Sequence, residues 1–300
     1  MPEVVRVTGP MPLDDDTPTD AGRLLSDLAV RDMGPEAIDK THLQPLYAKI
    51  ERVMDGSDFE AAAQALPGKG PGMQVDGLSG LIVETRSHRN LPFVVEQVQR
   101  ELGIQVHLFH GPGNRDFIKR SRIGRLIEEG RVVASELQTE TFGALIYNGL
   151  FLLPAFWEQV IGRGKILVFQ TDTVLCPGAS RKIGDFLEFD YIGPSWARGR
   201  SGGIASDGGI GGFTLRDWGK TVECLRRFPP EAWPAGEDRY FAFHLELLGA
   251  RVGRREECAR FCTQHSFRTD SLGAHKLNGL SQVQKLRFLM ACPCAWRLLT

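Results

Sequence analysis

The feature that most constrains the fold is a regular alternation of short apolar segments with longer amphipathic ones. Residues 80–84, 104–109 and 131–137 are predicted strands, and 91–102, 117–129 and 142–161 are predicted helices. A fourth strand at 166–169 is a continuous apolar run, which is typical of a strand buried on both faces of a parallel sheet. This order predicts an α/β fold with a mostly parallel sheet sandwiched by helices.

The flanking and later segments complete the predicted organisation. Residues 1–20 are predicted to be disordered or extended, 21–72 to form a helical N-terminal extension with the linker PGKGPG at 67–72, 73–280 to form the α/β domain, and 281–300 to form a C-terminal helix. Within the domain we predict a glycine-rich loop at 198–212, a strand at 212–216, helices at 217–227 and 237–248, and an irregular polar segment at 268–279.

Charge and cysteine content narrow the functional class. The 36 basic and 37 acidic residues give a formal charge of -1, which argues against a nucleic acid partner. Six cysteines without zinc-like spacing favour free buried thiols over disulfides, and hence a reducing compartment. The sequence has neither a recognisable secretory signal nor an apolar run long enough to span a membrane. We therefore expect a cytoplasmic protein.

Polar residues follow the fourth predicted strand immediately. Gln170, Thr171, Asp172 and Thr173 come directly after the apolar run. Open α/β sheets bind ligands beyond the carboxyl ends of their strands, where a carboxylate can hold a divalent cation against nucleotide phosphates. The alternative is that Asp172 only caps a turn.

Further candidates each have a structural explanation as well. The glycines near residue 210 could approach a phosphate or sugar, or could simply be flexible. Glu237 and Asp238 could cap a helix, or Asp238 could act as a general base that the helix dipole keeps ionised. His275 is a metal ligand or a surface residue. Polar groups after the first two strands could grip a nucleotide: Arg86, His110, Gly111 and Asn114.

Taken in order, these motifs resemble those of GT-A glycosyltransferases, which use nucleotide sugars. The similarity is greatest to a little-characterised family within that class and covers roughly residues 78–278. It rests on FQTDTVLC at 169–176, DFLEFDYIGPSW at 185–196, GIGGFTLR at 209–216, the pair Glu237-Asp238 and GAHK at 273–276, with IVETRSHRNL at 82–91 and FHGPGN at 109–114 upstream.

The resemblance implies a GT-A-like fold and specific roles. Asp172 and His275 would bind Mn²⁺ or Mg²⁺, and Asp238 with Glu237 would form the catalytic pair. The donor is expected to be a UDP-sugar and the acceptor a glycan, protein or small molecule. The residues implied to bind the nucleotide sugar are Thr85, Arg86, His110, Gly111, Asn114, Gln170, Thr171, Asp172, Thr173, Gly211 and Gly212.

Two other functions are compatible with parts of the sequence. The motif at 171–173 contains a single carboxylate, so a degenerate domain that binds a nucleotide sugar or glycan without turnover is an alternative. A dinucleotide-binding Rossmann enzyme is disfavoured, because RSHRNL stands at 86–91 where G-x-G-x-x-G is needed. The basic and apolar tail from Ser281 is expected to dock on the domain, with membrane or partner contact as the alternative.

Overall fold

A computed structural model describes residues 77–137, 144–197, 208–228, 230 and 236–299. The expected disordered segment 1–20, the N-terminal extension and its linker lie outside the described residues, as does most of the glycine-rich loop.

The fold is mixed α/β, built on a mostly parallel central sheet with helices on both faces, which confirms the predicted class. The strands are β1 (Leu78–Val83), β2 (Val106–His110), β3 (Val132–Glu136), β4 (Lys165–Phe169), β5 (Thr173–Leu175), β6 (Tyr191–Ile192), β7 (Phe213–Asp217), β8 (Cys262–Thr263) and β9 (Gly273–His275). Six of them form the central sheet in the order β3-β2-β1-β4-β7-β6. β1 to β4 are parallel, and β7 runs antiparallel to both β4 and β6.

All of the helices but the last cover two separate cores, one on each face of the central sheet. The helices are α1 (Leu91–Leu102), α2 (Arg115–Arg120), α3 (Arg122–Glu128), α4 (Ala144–Phe151), α5 (Pro154–Gln159), α6 (Trp218–Arg227), α7 (Glu237–Leu247), α8 (Arg255–Phe261) and α9 (Gln282–Ala291). Leu81 and Val168 face the core of α4 to α7, whereas Ile82 and Leu167 face the core of α1, α2, α3 and α8. Because strand side chains alternate between faces, this burial explains why residues 81–83 of β1 and 166–169 of β4 are continuously apolar.

Local chemistry sets the helix boundaries. α1 ends at Gly103, which has a left-handed φ of 64°, as predicted from the sequence. The predicted helix at 117–129 is instead two helices, because Ser121 is extended and its hydroxyl caps α3. Within the described part of the predicted 142–161 helix, α4 and α5 are separated at Leu153, before Pro154.

A second, smaller sheet corrects the expectation of an irregular segment at 268–279. β9 lies between β5 and β8, antiparallel to β5 and parallel to β8. In this register Thr173 pairs with His275. The small sheet therefore joins the chain after β4 to a segment about a hundred residues later.

The C-terminal helix packs on this small sheet. Phe288 and Leu289 of α9 are buried in a third core with Val174 and Ala274. A disulfide joins Cys176, directly after β5, to Cys292 at the end of α9. The prediction of free thiols is wrong for this pair, whereas Cys224, Cys258, Cys262 and Cys294 are free. In the part of the chain that the structure describes, no helix is long and apolar enough to cross a membrane.

Candidate active site

A cavity of about 400 Å³ opens beyond the carboxyl ends of β1 and β4, within the size range of small-molecule sites. It lies where the sequence predicted a ligand site. Most of the predicted site residues line it: Thr85, Arg86, Gln170, Thr171, Asp172, Gly211, Gly212, Glu237, Asp238 and His275.

The loop after β1 is held by Glu84, a residue that the sequence analysis did not single out. Its carboxylate accepts two hydrogen bonds of 2.8 Å from the Arg86 guanidinium, and the Thr171 hydroxyl lies 3.3 Å from the same carboxylate. Glu84 is buried, whereas the Arg86 side chain is 65% exposed at the cavity. Arg86 is thus fixed in one orientation with its outer surface available to an anionic ligand.

His110, Gly111, Asn114 and Thr173 do not line the cavity, which corrects their expected contacts with the nucleotide. Asn114 donates from Nδ2 to the carbonyls of Glu84 and Arg86, at 2.8 and 3.1 Å. His110 Nδ1 lies 2.9 Å from the Gly111 carbonyl, and burial lowers the pKa of this imidazole. Asn114 therefore shapes the loop that carries Arg86.

Asp172 and His275 meet at the floor of the cavity. Asp172 Oδ1 and His275 Nε2 are 3.3 Å apart, and both atoms are buried without an aligned hydrogen-bond partner among the described residues. His275 Nδ1 is 3.0 Å from Gln264 Oε1, an acceptor, so Nδ1 donates to Gln264 and Nε2 is left facing Asp172. A proton on His275 Nε2 or a metal ion between the two atoms would satisfy both Asp172 Oδ1 and His275 Nε2.

The chemistry of this pair fits a divalent ion as part of a larger ligand set. A carboxylate oxygen and an imidazole nitrogen oriented by a second residue are suitable ligands for Mn²⁺ or Mg²⁺. Within the described residues no group of three or more His, Cys, Asp and Glu side chains could hold an ion. Further ligands would therefore have to come from a bound molecule or from water.

Lys276 adds a second positive group that the sequence analysis left without a role. Its Nζ lies 3.8 Å from Asp172 Oδ2, and its backbone N–H donates to the Asp172 carbonyl over 3.1 Å. Lys276 has a φ of 45°, which is uncommon for a residue other than glycine. Burial raises the pKa of Asp172, but His275 and Lys276 lower it by more, to about 2. Asp172 is consequently anionic at neutral pH.

Gly211 and Gly212 lie between Asp238 on one side and the Asp172–His275 pair on the other. Neither glycine has space for a side chain. A Cβ on Gly212 would lie 2.2 Å from His275 Cε1, and a Cβ on Gly211 would lie 2.2 Å from Glu237 Oε1. The Gly211 N–H also donates to Asp238 Oδ2 over 3.2 Å. The glycines are therefore needed for close approach of β7 to β9 and α7, whatever ligand binds.

Asp238 lies on the opposite side of this glycine turn. It accepts hydrogen bonds from the N–H groups of Gly211 and Arg239, at 3.2 and 2.7 Å. Burial, followed by the charge of Glu237, raises its pKa to about 6. The expectation that the helix dipole lowers this pKa is wrong, because desolvation outweighs the N–H donors at this position. The carboxylate is nevertheless mainly ionised at neutral pH.

Glu237 is fully engaged in a buried ion pair with Arg216 on β7. Arg216 donates to both carboxylate oxygens over 2.8 and 3.0 Å, and its charge lies 5.0 Å from the Phe241 ring centre. Both side chains are almost completely buried. This arrangement gives Glu237 a structural partner and leaves Asp238 as the carboxylate without an ion pair to Arg216. An arginine inside a buried strand was the signal in the sequence, within GGFTLR.

Comparison of the sequence with known families gives a match. A family model described as "Protein of unknown function (DUF5672)" matches residues 132–276, a range that includes Asp172, Asp238 and His275. A search of curated proteins by sequence finds no significant match.

The solved structures that match have low sequence identity and low TM-scores. The glycosyltransferase GlyE of Streptococcus pneumoniae TIGR4 is 12% identical, with a TM-score of 0.39 over 71% of this chain and 59% of that one. An inositol-1-phosphate CTP transferase from T. maritima is 11% identical, with a TM-score of 0.38 over 70% of this chain and 94% of that one. A nucleoside-diphosphate-sugar pyrophosphorylase from Vibrio cholerae RC9 is 15% identical, with a TM-score of 0.35 over 60% and 93%. Similarities this distant do not identify a substrate or a reaction for this chain.

Proposed function

We propose that this protein is a glycosyltransferase that transfers a sugar from a nucleoside diphosphate sugar to an acceptor hydroxyl. The observation that carries the proposal is the facing pair of buried atoms Asp172 Oδ1 and His275 Nε2, beyond the carboxyl end of β4, neither of which has a hydrogen-bond partner among the described residues. Such a pair suits a cation that arrives together with a diphosphate. The motif resemblance and the position of Asp238 in the same cavity support it.

The residues divide into two groups by chemistry. Asp172 and His275 would hold Mn²⁺ or Mg²⁺, which when bound would stabilise the negative charge of the leaving diphosphate. Arg86 and Lys276 would contact the phosphates directly, since both cations reach the cavity. The hydroxyl of Thr85 is buried in the cavity wall without a partner among the described residues, so it is available to a polar group of the donor.

Asp238 is the proposed base. Its raised pKa lets the ionised carboxylate accept a proton from the acceptor hydroxyl near neutral pH. Trp196 and Arg239 line the same part of the cavity, with the guanidinium 5.8 Å from the indole ring centre. We assign this aromatic and cationic side to the acceptor, which would place the reacting hydroxyl beside Asp238.

A panel of nucleotide sugars tests the proposal. The melting temperature is measured with each UDP-, GDP-, CMP- and dTDP-sugar, with and without Mn²⁺, and release of free nucleotide is followed for each ligand that binds. We expect a UDP-sugar to raise the melting temperature more with Mn²⁺ than without it, and to be hydrolysed slowly. Asp116→Asn, at an exposed position on α2, serves as a control that should behave like the wild type.

Two results would contradict the proposed activity. If no nucleotide sugar shifts the melting temperature, the proposal is wrong. If one binds but no nucleotide is released with any offered acceptor, the degenerate binding domain is the better description. The single carboxylate at Asp172 and the small set of protein ligands are what favour this second function.

A further inference from the structure

The large apolar side chains that are exposed among the described residues are concentrated in the C-terminal tail, residues 281–299. Every large hydrophobic side chain that is exposed in the described residues lies within 283–299: Val283, Leu286, Met290, Trp296 and Leu299. Met290 is 77% exposed and Val283 62%. We call these five side chains the tail surface. Apolar groups clustered in this way mark an interaction site more often than single exposed residues do.

The tail surface is fixed in place by the opposite side of the same segment. Val283, Leu286 and Met290 are spaced three and four residues apart, so they share one face of α9. Phe288 and Leu289 are buried against the domain, and Cys292 is held by the disulfide to Cys176. Docking of the tail was expected from the sequence, and the structure confirms it. Since docking buries only one face, the apolar residues of the other remain in water.

All the charged side chains that follow Asp270 in the sequence are basic. No Asp or Glu follows Asp270, whereas Lys276, Lys285, Arg287 and Arg297 do. Lys285 and Arg287 form no ion pair with any described carboxylate, and Arg287 is exposed beside the apolar face of α9. This composition is unusual in a chain that has 37 acidic residues overall. A basic tail would repel a second copy of itself in a symmetric contact.

We propose that the tail surface binds an anionic lipid membrane, with α9 lying in the membrane interface rather than crossing it. Exposed Leu, Met and Trp side chains would enter the boundary between head groups and acyl chains, while Lys285 and Arg287 would contact anionic head groups. The absence of acidic side chains from the last thirty residues removes the usual electrostatic barrier to such contact. A single short helix gives weak, reversible binding, so we expect peripheral association.

The tail follows a segment of the candidate active site in the sequence. Lys276 precedes the tail directly, and Leu277 and Leu280 share the buried core of α9. The inference does not depend on the proposed function, because it concerns a surface that contains none of the site residues.

Co-sedimentation of the full chain with lipid vesicles tests the proposal. Vesicles of phosphatidylcholine alone are compared with vesicles that contain phosphatidylglycerol in equal part, at low and at physiological salt. We expect binding to the anionic vesicles only, weakened by salt. The tryptophan emission should shift to shorter wavelength on binding, and Trp296→Phe should remove most of that shift.

Three variants make the test specific. Arg287→Glu should weaken the partition into anionic vesicles by ~30-fold, because it removes one positive charge and adds one negative charge, each on the scale of about 1 kcal/mol. Leu286→Ser combined with Met290→Ser should weaken it at least as much. Arg227→Glu, an exposed charge change on α6 across the central sheet, should leave it unchanged.

Other outcomes overturn the proposal. These are failure of the full chain to bind anionic vesicles, equal binding to both vesicle types, and binding that survives both tail variants. A tail variant that turns a dimer into a monomer in light scattering would show that a second copy covers the surface instead. Unchanged melting temperatures of the variants exclude misfolding as the cause of lost binding.

Discussion

Asp238 illustrates how burial and hydrogen bonding compete at a single residue. Two backbone N–H groups favour its ionised form, yet loss of water and the neighbouring Glu237 raise its pKa to about 6. A pKa near the working pH is the value at which a carboxylate is an effective general base. A surface aspartate at a helix start, as the sequence suggested, would be a weaker base.

The first prediction concerns the activity and its pH dependence. If Asp238 is the base, turnover should fall as the pH drops through about 6, because protonation removes the group that accepts the proton. Asp238→Asn should lower turnover ~10²-fold or more and leave nucleotide sugar binding nearly unchanged. Initial rates between pH 5 and 8 and thermal shifts test both parts. Near-normal turnover in the variant would remove this role from Asp238.

The second prediction concerns Asp172 and His275. Because two protein ligands bind an ion weakly, calorimetry should show little Mn²⁺ binding to the free protein and clear binding when UDP is present. Asp172→Asn and His275→Gln should each abolish the effect of Mn²⁺ on UDP binding while the protein stays folded. If both variants retain it, the ion binds elsewhere. Asp116→Asn is the matched control.

At the scale of elements, the turn before β7 packs against both halves of the site, and this gives a third prediction. Gly212→Ala places a methyl group against the His275 ring and Gln170 Oε1, at 2.2 and 2.7 Å, so the imidazole must move. We expect Mn²⁺-dependent nucleotide binding to be lost with only a modest fall in melting temperature. Gly184→Ala, where the new Cβ has open space, should change neither quantity. Normal metal dependence in Gly212→Ala would show that His275 is not a ligand.

The fourth prediction concerns the contact between β7 and α7. Removing one partner of a buried ion pair leaves the other charge without compensation, at a cost of about 3–5 kcal/mol. Arg216→Met should therefore lower the free energy of unfolding by that amount in urea titrations. The double variant Arg216→Met/Glu237→Gln should recover part of the loss. If the loss of unfolding free energy in the double variant equals the sum of the losses in Arg216→Met and Glu237→Gln, the ion pair does not couple the two elements.

Local patterns in the sequence predicted the elements well where one element could be recognised alone. α1 was predicted with the correct boundaries because its apolar spacing and Gly103 agree. β9 was missed, since three residues in a polar segment become a strand only by pairing with β5 and β8. Asn114 was assigned to the ligand because it follows β2, yet its side chain reaches the backbone of the loop after β1.

For the whole molecule, the long-range connections were the part that the sequence could not supply. The spacing of the cysteines gave no sign of the Cys176–Cys292 bond, because its partners are 116 residues apart and meet only after β5 and α9 have packed. The pairing of Asp172 with His275 depends on the same small sheet. Motif order predicted that these two residues belong together, but their distance and the role of Gln264 required the fold.

The fifth prediction concerns the Cys176–Cys292 disulfide. Closing a loop of this length restricts the unfolded chain and contributes about 3–5 kcal/mol to stability. A reducing agent should therefore lower the urea midpoint of the wild type. It should not change that of the double variant Cys176→Ala/Cys292→Ala, which should match the reduced protein. An equal response of both proteins would assign the effect to other thiols.

The same disulfide determines whether the fragments separate after proteolysis. β6 to β9 and α6 to α9 all lie between Cys176 and Cys292. A single protease cut anywhere in that interval leaves two fragments that remain covalently joined. The nicked protein should thus migrate as one species on a denaturing gel without thiol and as two species after reduction. Limited digestion without thiol would therefore give the appearance of resistance in a chain that has already been cleaved.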